Sequence, residues 1–241
     1  MPTVSGPAMG DDFFNRKKEI QEILSSLKKD SVLLISPRRY GKTSLMREIE
    51  KELRERGNTC FFLDVMCVDK PEEFVVELAD VLFAESETEI RRKFLKALKG
   101  VFDRIEEIEA STQGVRVKFK DLLLKEVKGK TWTRDGNELF RALTKTNENI
   151  PLYILIDELS ECVNNIVKKQ SEDAAKFLQW LRSVRSTMTR ELRFLVSGSI
   201  SFDRVVRQVG PTSLSWINDF KRITVGGFSH DDALEFVKKM F

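Results

Sequence analysis

The stretch that settles the fold is Val32-Leu33-Leu34-Ile35-Ser36-Pro37-Arg38-Arg39-Tyr40-Gly41-Lys42-Thr43-Ser44. The run from Ser31 to Ile35 is short, apolar and β-branched at Val32 and Ile35, which predicts a buried strand. Ser36-Pro37 breaks the run, and helical spacing resumes from Lys42 to Arg54 with Gly57 as a stop. Between strand and helix, Ser36 to Thr43 fits the phosphate-loop pattern GxxxxGK[ST] everywhere except its first position, where Ser stands for Gly. A chain of phosphates needs several backbone N–H groups turned inward on a tight loop, and Gly41 permits that turn. Lys42 then reaches the β and γ phosphates, Thr43 offers a hydroxyl to Mg²⁺, and the helix start adds the positive end of its dipole. Pro37, Arg38, Arg39, Tyr40 and Ser44 complete the candidate binding loop. If the first position required positive φ, Ser36 would cost about 1 kcal/mol or more in backbone strain.

Working outward, Ile20, Ile23, Leu24 and Leu27 recur at helical spacing behind a cap at Asn15, which predicts a helix over 16–27. A second strand is expected over 59–65, followed by a helix that starts at Pro71-Glu72-Glu73 and carries Phe74, Leu78 and Leu82 on one face. The resulting βαβ unit favours a parallel sheet. Residues 89–128 alternate between charged helical and strand-like patterns and are read as an insertion. A helix around 136–144 leads to Leu152-Tyr153-Ile154-Leu155-Ile156-Asp157, an apolar strand ending in acid. A helix over 172–187, a strand over 193–197 and a shorter strand over 222–225 follow. Strands alternating with helices in this way predict an α/β sandwich of three layers around a five-stranded sheet.

Asp157 and Glu158 are adjacent carboxylates at the end of the 152–157 strand. Asp157 is suited to the Mg²⁺ shell and Glu158 to polarising a water that attacks the γ-phosphate. Acidic strand ends are common, so the pair gains weight only beside the loop at 36–44. Arg182, Arg185 and Arg190 sit near helical spacing and read either as a solvated face or as a source of the arginine finger that neighbouring subunits supply.

Composition narrows the class further. The 241 residues are 41% hydrophobic, enough for an ordinary core, and 41 Lys+Arg against 38 Asp+Glu leave a net charge of +3. That balance calls for neither a nucleic-acid nor a membrane partner. Cys60, Cys67 and Cys162 form no CxxC pair, and His230 is the only histidine, which leaves little material for zinc sites or Ser-His-Asp triads. With no signal-peptide pattern and no apolar run of the roughly 20 residues that a membrane helix needs, a cytoplasmic protein with reduced cysteines is the expectation. Residues 1–11 read as a flexible tail.

The chain resembles the archaeal-type ATPases of the STAND branch of P-loop NTPases, relatives of the AAA+ proteins, over roughly residues 13–241. The resemblance rests on Phe14-Asn15-Arg16-Lys17-Lys18-Glu19, similar to an opening Phe-x-x-Arg-x-x-Glu box, and on Pro37 to Ser44, similar to Pro-Arg-Arg-x-Gly-Lys-Thr-Ser. Ile156-Asp157-Glu158 and Leu195-Val196-Ser197-Gly198-Ser199 add to it. It implies a parallel sheet in the order 5-1-4-3-2 with ATP on the carboxyl edge. It also places Phe14 and Arg16 on the adenine side, the alternative being a pair of helix-start residues. Ser197 and Ser199 become polar sensors of the γ-phosphate or residues of a strand-end turn. Arg38 and Arg39 become contacts to phosphate or a partner domain, or a solvated loop pair. The core would span 12–225, and 226–241 would begin a helical lid cut short at Phe241, either in a truncated piece or in a reduced member.

The leading expectation is an ATP-binding domain with slow Mg²⁺-dependent hydrolysis that acts as a switch toward another protein or a missing C-terminal domain. A nucleotide-binding scaffold without appreciable hydrolysis is the first alternative, and a DNA-linked ATPase the second.

Overall fold

Four of the five strands carry apolar residues on both faces and need helices above and below them, and that requirement organises the computed structural model. It describes residues 13–85, 132–146, 151–228 and 230–240, so the tail at 1–11, the insertion at 89–128 and the cap at Ser229 lie outside the described residues. Along the chain the elements are α1 (Lys17–Leu27), β1 (Val32–Ser36), α2 (Lys42–Glu55), β2 (Cys60–Asp64), α3 (Pro71–Glu85) and α4 (Trp132–Thr146). Next come β3 (Leu152–Asp157), α5 (Leu159–Lys169), α6 (Ser171–Thr187), β4 (Leu192–Ser199) and α7 (Phe202–Val209). A 3₁₀ turn at Ser213–Trp216, β5 (Lys221–Thr224) and α8 (His230–Met240) complete the described chain.

All pairings are parallel and the sheet order is β2-β3-β4-β1-β5, the expected 5-1-4-3-2 read from the other edge. Strand alternation divides the core into two layers. Leu33, Phe61, Leu63, Ile154, Ile156, Phe194 and Val196 face α3 to α7, while Val32, Leu34, Phe62, Tyr153, Leu155 and Leu195 face α1 and α2. The predicted three-layer sandwich is therefore present, with every central strand buried on both faces.

Two helices escaped the sequence reading. In α5, Leu159, Cys162, Val163 and Ile166 stand at helical spacing, and in α7 so do Phe202, Val205, Val206 and Val209. Both helices follow directly on a strand end, where a strand-to-loop reading masks the change of period.

The arginines on α6 also need correction. Arg185 is neither a solvated face nor a free finger, since its side chain is 3% exposed and its guanidinium grips Asp219 with Nε–Oδ2 at 3.0 Å and Nη2–Oδ1 at 2.8 Å. Nη2 also donates to Trp216 O at 2.7 Å, and the group lies 4.0 Å from the Phe220 ring centroid. Arg182 donates to Ser215 O. Together these contacts fasten the segment before β5 to α6. Breaking a buried pair by removing one partner leaves an uncompensated charge. Asp219→Ala is expected to lower stability by about 3 kcal/mol in urea unfolding, and adding Arg185→Met should restore a good part of that loss.

Candidate functional site

β1 ends at Ser36 and the chain turns over Pro37–Gly41 into α2, so the loop opens at the carboxyl edge of the sheet. Ser36 is fully buried and still paired in the strand, opposite Ser199 of β4. Its backbone is not among the positive-φ positions, which fall instead on Arg39 (φ 66°) and Gly41 (φ 78°). The strain considered for Ser36 thus belongs to Arg39, two residues before the glycine. Gly41 caps α2 and its carbonyl accepts the Leu45 N–H at 2.9 Å.

Lys42 is only 5% exposed, and its Nζ donates to Ser36 O and Pro37 O at 3.4 Å each. These are long contacts for an ammonium, which is held at the loop without a strong partner. Thr43 Oγ1 donates to Asp157 Oδ2 at 2.6 Å. Asp157, 1% exposed, also accepts from Ser197 Oγ at Oδ1, and Ser197 Oγ in turn accepts the Glu158 N–H at 2.8 Å. Thr43, Asp157, Glu158 and Ser197, drawn from α2, β3 and β4, therefore form one connected network. A hydroxyl and a carboxylate so placed are hard oxygen donors of the kind Mg²⁺ prefers, so the residues fit a divalent metal.

Glu158 caps α5 in the left-handed region at φ 58°. Burial pushes its carboxyl above the ordinary value, Lys42 and Arg38 pull it back, and Asp157 and Glu161 add to the rise. Arg38 is 75% exposed at the side chain and pairs with Glu161 of α5 at 3.1 Å. Ser44 is buried in the first turn of α2, and Tyr40 is 41% exposed. The Ser199 N–H donates to Ser160 Oγ at 2.9 Å, and the Ser199 hydroxyl meets that of Ser201 at 2.9 Å. Ser199 is thus tied to α5 and the β4 exit, whereas Ser197 links the Asp157 carboxylate to the Glu158 backbone. A cavity of about 620 Å³ adjoins the loop between α5 and α7, with Arg38, Glu161, Lys168, Ile200 and Arg204 on its walls.

The opening box lies on the other side of the loop. Counting three residues back from Arg16 gives Phe13, which packs on the α1 and α2 layer, whereas Phe14 joins an aromatic cluster. The Phe14 ring is 5.8 Å from Phe228 and 5.3 Å from Phe236 of α8, and the Arg16 guanidinium lies 4.6 Å from the Phe228 ring centroid while bonding Glu19 at 2.9 Å. Asn15 donates to Asp232 of α8 instead of capping α1. A Cβ on Gly227 would stand 3.7 Å from the Tyr40 ring, so this cluster borders the loop tip. Sequence reading missed Phe228, Phe236, Ser160 and Glu161, because only tertiary contact joins them to the motifs.

A family profile described as an ATPase domain predominantly from Archaea matches residues 13–241. The chain belongs to this family of archaeal ATPase domains. Its fold is shared with the Walker-type ATPase PABY2304 of Pyrococcus abyssi, at 19% identity and a TM-score of 0.56, over 98% of this chain and 60% of that one. It is shared also with the ORC2 protein of Aeropyrum pernix in ADPNP-ADP complexes, at 11% identity and a TM-score of 0.50, over 95% of this chain and 54% of that one. This ATPase domain therefore spans under two thirds of the length of either protein. No curated protein matches it. Among the described residues, no helix is long and apolar enough to cross a membrane.

Two outcomes follow from the backbone and the carboxylate. Arg39→Gly should gain stability of about 1 kcal/mol by relieving left-handed strain, whereas Ser36→Gly should gain none, as paired thermal or urea unfolding would show. Because the Glu158 pKa is raised on folding, its ionisation opposes the folded state above the ordinary carboxylate value of 4.5, and that cost disappears below it. Glu158→Gln is expected to melt at a higher temperature than the wild type at neutral pH, with the gap closing as pH falls through the carboxylate range.

Proposed function

We propose that this domain binds ATP with Mg²⁺ on the loop 36–44, hydrolyses it slowly, and uses the bound state as a switch toward another protein or domain. The observation that carries the reading is the 2.6 Å hydrogen bond between Thr43 and the buried Asp157, beside the weakly held Lys42 ammonium. Lys42 would exchange its long carbonyl contacts for the β and γ phosphates, with the inward N–H groups at the start of α2 beside it. Mg²⁺ held by Thr43 and Asp157 would neutralise charge on the β and γ oxygens. Glu158 would orient the attacking water and accept its proton, and burial makes its carboxylate a stronger base than an exposed one. The aromatic group of Phe14, Phe228 and Phe236, with Arg16 over Phe228, is suited to flank the base.

The switch reading draws on Ser197 and Ser199. Ser197 bonds the Asp157 carboxylate and the Glu158 backbone N–H, and Ser199 is bonded to α5, so a change at the γ-phosphate would bear on β4 and α5 together. These elements border the cavity that holds Arg38 and Arg204, a suitable place for a partner to sense the change. Slow turnover is supported by the arginines of the loop, because Arg38 is engaged by Glu161 and Arg39 is exposed. Neither is fixed over the phosphates, so a partner would have to supply or orient one. Free thiols at Cys60, Cys67 and Cys162 fit a reducing cytoplasm.

Calorimetric titration with ATP and Mg²⁺ should give an affinity that falls about tenfold or more in Lys42→Ala, and equal affinities would remove the loop from the account. Glu158→Gln should keep ATP binding while phosphate release falls on the order of a hundredfold. In the wild type the acid limb of the turnover profile should lie above 4.5. Binding without turnover in the wild type would leave a nucleotide-dependent scaffold.

A further inference from the structure

Helices α5 and α7 follow the neighbouring parallel strands β3 and β4, so both start at the carboxyl edge of the sheet. Between them lies the cavity of about 620 Å³ that adjoins the nucleotide loop. Glu161 and Lys168 line it from α5 and Arg204 and Gln208 from α7, with Arg38 and Ile200 at the end nearest the loop. The helical rise from Glu161 to Lys168 amounts to about 10 Å, the length of about three extended residues. The cavity is thus a short groove that begins beside the phosphate loop.

Charge on its walls is unbalanced. Arg38 is engaged by Glu161 at 3.1 Å, whereas Lys168 and Arg204 are exposed and have no ion-pair or hydrogen-bond partner among the described residues. The whole chain carries a net charge of only +3, yet three cations and one carboxylate line this single groove. Apolar surface gathers at the same edge. Outside residues 228–237, the exposed large hydrophobics among the described residues are Tyr40, Met66 and Ile200, in the loops after β1, β2 and β4. Ile200, 68% exposed, stands at the mouth of the groove, and the two free cations lie further along it.

We infer that this groove docks a short, extended acidic segment of a partner protein, with an apolar side chain over Ile200 and carboxylates at Arg204 and Lys168. The inference deepens the switch reading, and rests on it for what the partner does there. An extended segment matches the groove in length, and Ser201, Asn164 and Gln208 offer polar groups to its backbone. Charge complementarity selects an acidic sequence. A nucleic acid fits less well, because none of the lining residues is aromatic and Glu161 stands among the cations. Arg38 belongs to both the groove and the loop, so an occupant that draws it away from Glu161 would act directly at the nucleotide edge.

The test uses the whole chain and a fluorescein-labelled peptide, Gly-Leu-Asp-Glu-Asp-Gly, read by fluorescence anisotropy without nucleotide and again in Lys42→Ala. The neutral analogue Gly-Leu-Asn-Gln-Asn-Gly is the control. The acidic peptide should bind, and its Kd should rise about tenfold or more when Lys168→Glu and Arg204→Glu are combined, and less in Ile200→Ser. Added salt should weaken it too. The same charge change at the amino edge, Lys28→Glu with Lys221→Glu, should leave the Kd as it was, and all these exposed substitutions should keep the wild-type melting temperature. Absence of binding, equal binding of the neutral peptide, or binding indifferent to where the charge is reversed would overturn the inference. So would tighter binding of a single-stranded oligonucleotide that the groove variant loses, which hands the site to a nucleic acid. Self-association of the chain that the groove variant abolishes would likewise hand it to a second copy. ATP with Mg²⁺ should change the peptide Kd in the wild type and not in Lys42→Ala. A Kd unmoved by ATP would overturn the switch while the nucleotide-free binding still supports the groove.

Discussion

Asp157 accepts a hydrogen bond from Thr43 at the start of α2 and another from Ser197 in β4, while being almost wholly withdrawn from solvent. An unpartnered carboxylate at that depth would be expensive, so the two hydroxyls compensate for its burial and at the same time fix the spacing of three elements. The loop that carries Lys42, the strand that ends in Asp157 and the strand that carries Ser197 are thereby held in one register. Moving any one of them would break a charged hydrogen bond in a low-dielectric place.

Strain gathers around the same point. Arg39, Gly41 and Glu158 all have positive φ, and Asn15 and Arg16 share that property beside the Phe228 cluster. Each non-glycine residue in this region costs on the order of 1 kcal/mol or more, which persists only where surrounding packing over-determines the backbone. That packing comes from the parallel sheet, whose central strands are buried on both faces. The rigid core therefore allows a strained edge, and the strained edge is where the phosphate loop and the carboxylates meet.

The amino edge follows a different logic. Arg185 holds the segment before β5 through Asp219 and Trp216, and β5 pairs with β1, the strand that delivers the loop. The charge at that edge thus supports the alignment of the strand on which the opposite edge depends.

The loop at 36–44, the acidic strand end at 157–158 and the α/β alternation were legible because each is a local pattern: period, turn chemistry and residue type lie within a few positions of one another. The two-layer core could be read for the same reason, since strands apolar on both faces require helices on both sides. Helices α5 and α7 carried their periodic signal but were hidden by following directly on strand ends. Nothing local announced that Ser36 would stay extended while Arg39 took the left-handed turn, because loop dihedrals are set by how Ser36 in β1 and Lys42 in α2 are anchored on either side. Nor could spacing show that Arg185 would meet Asp219, 34 residues away, or that Phe14 would meet Phe228 and Phe236. Chemistry within a motif is written in neighbouring residues, whereas pairing, burial and the resulting pKa of Glu158 depend on which distant segments the folded sheet brings into contact.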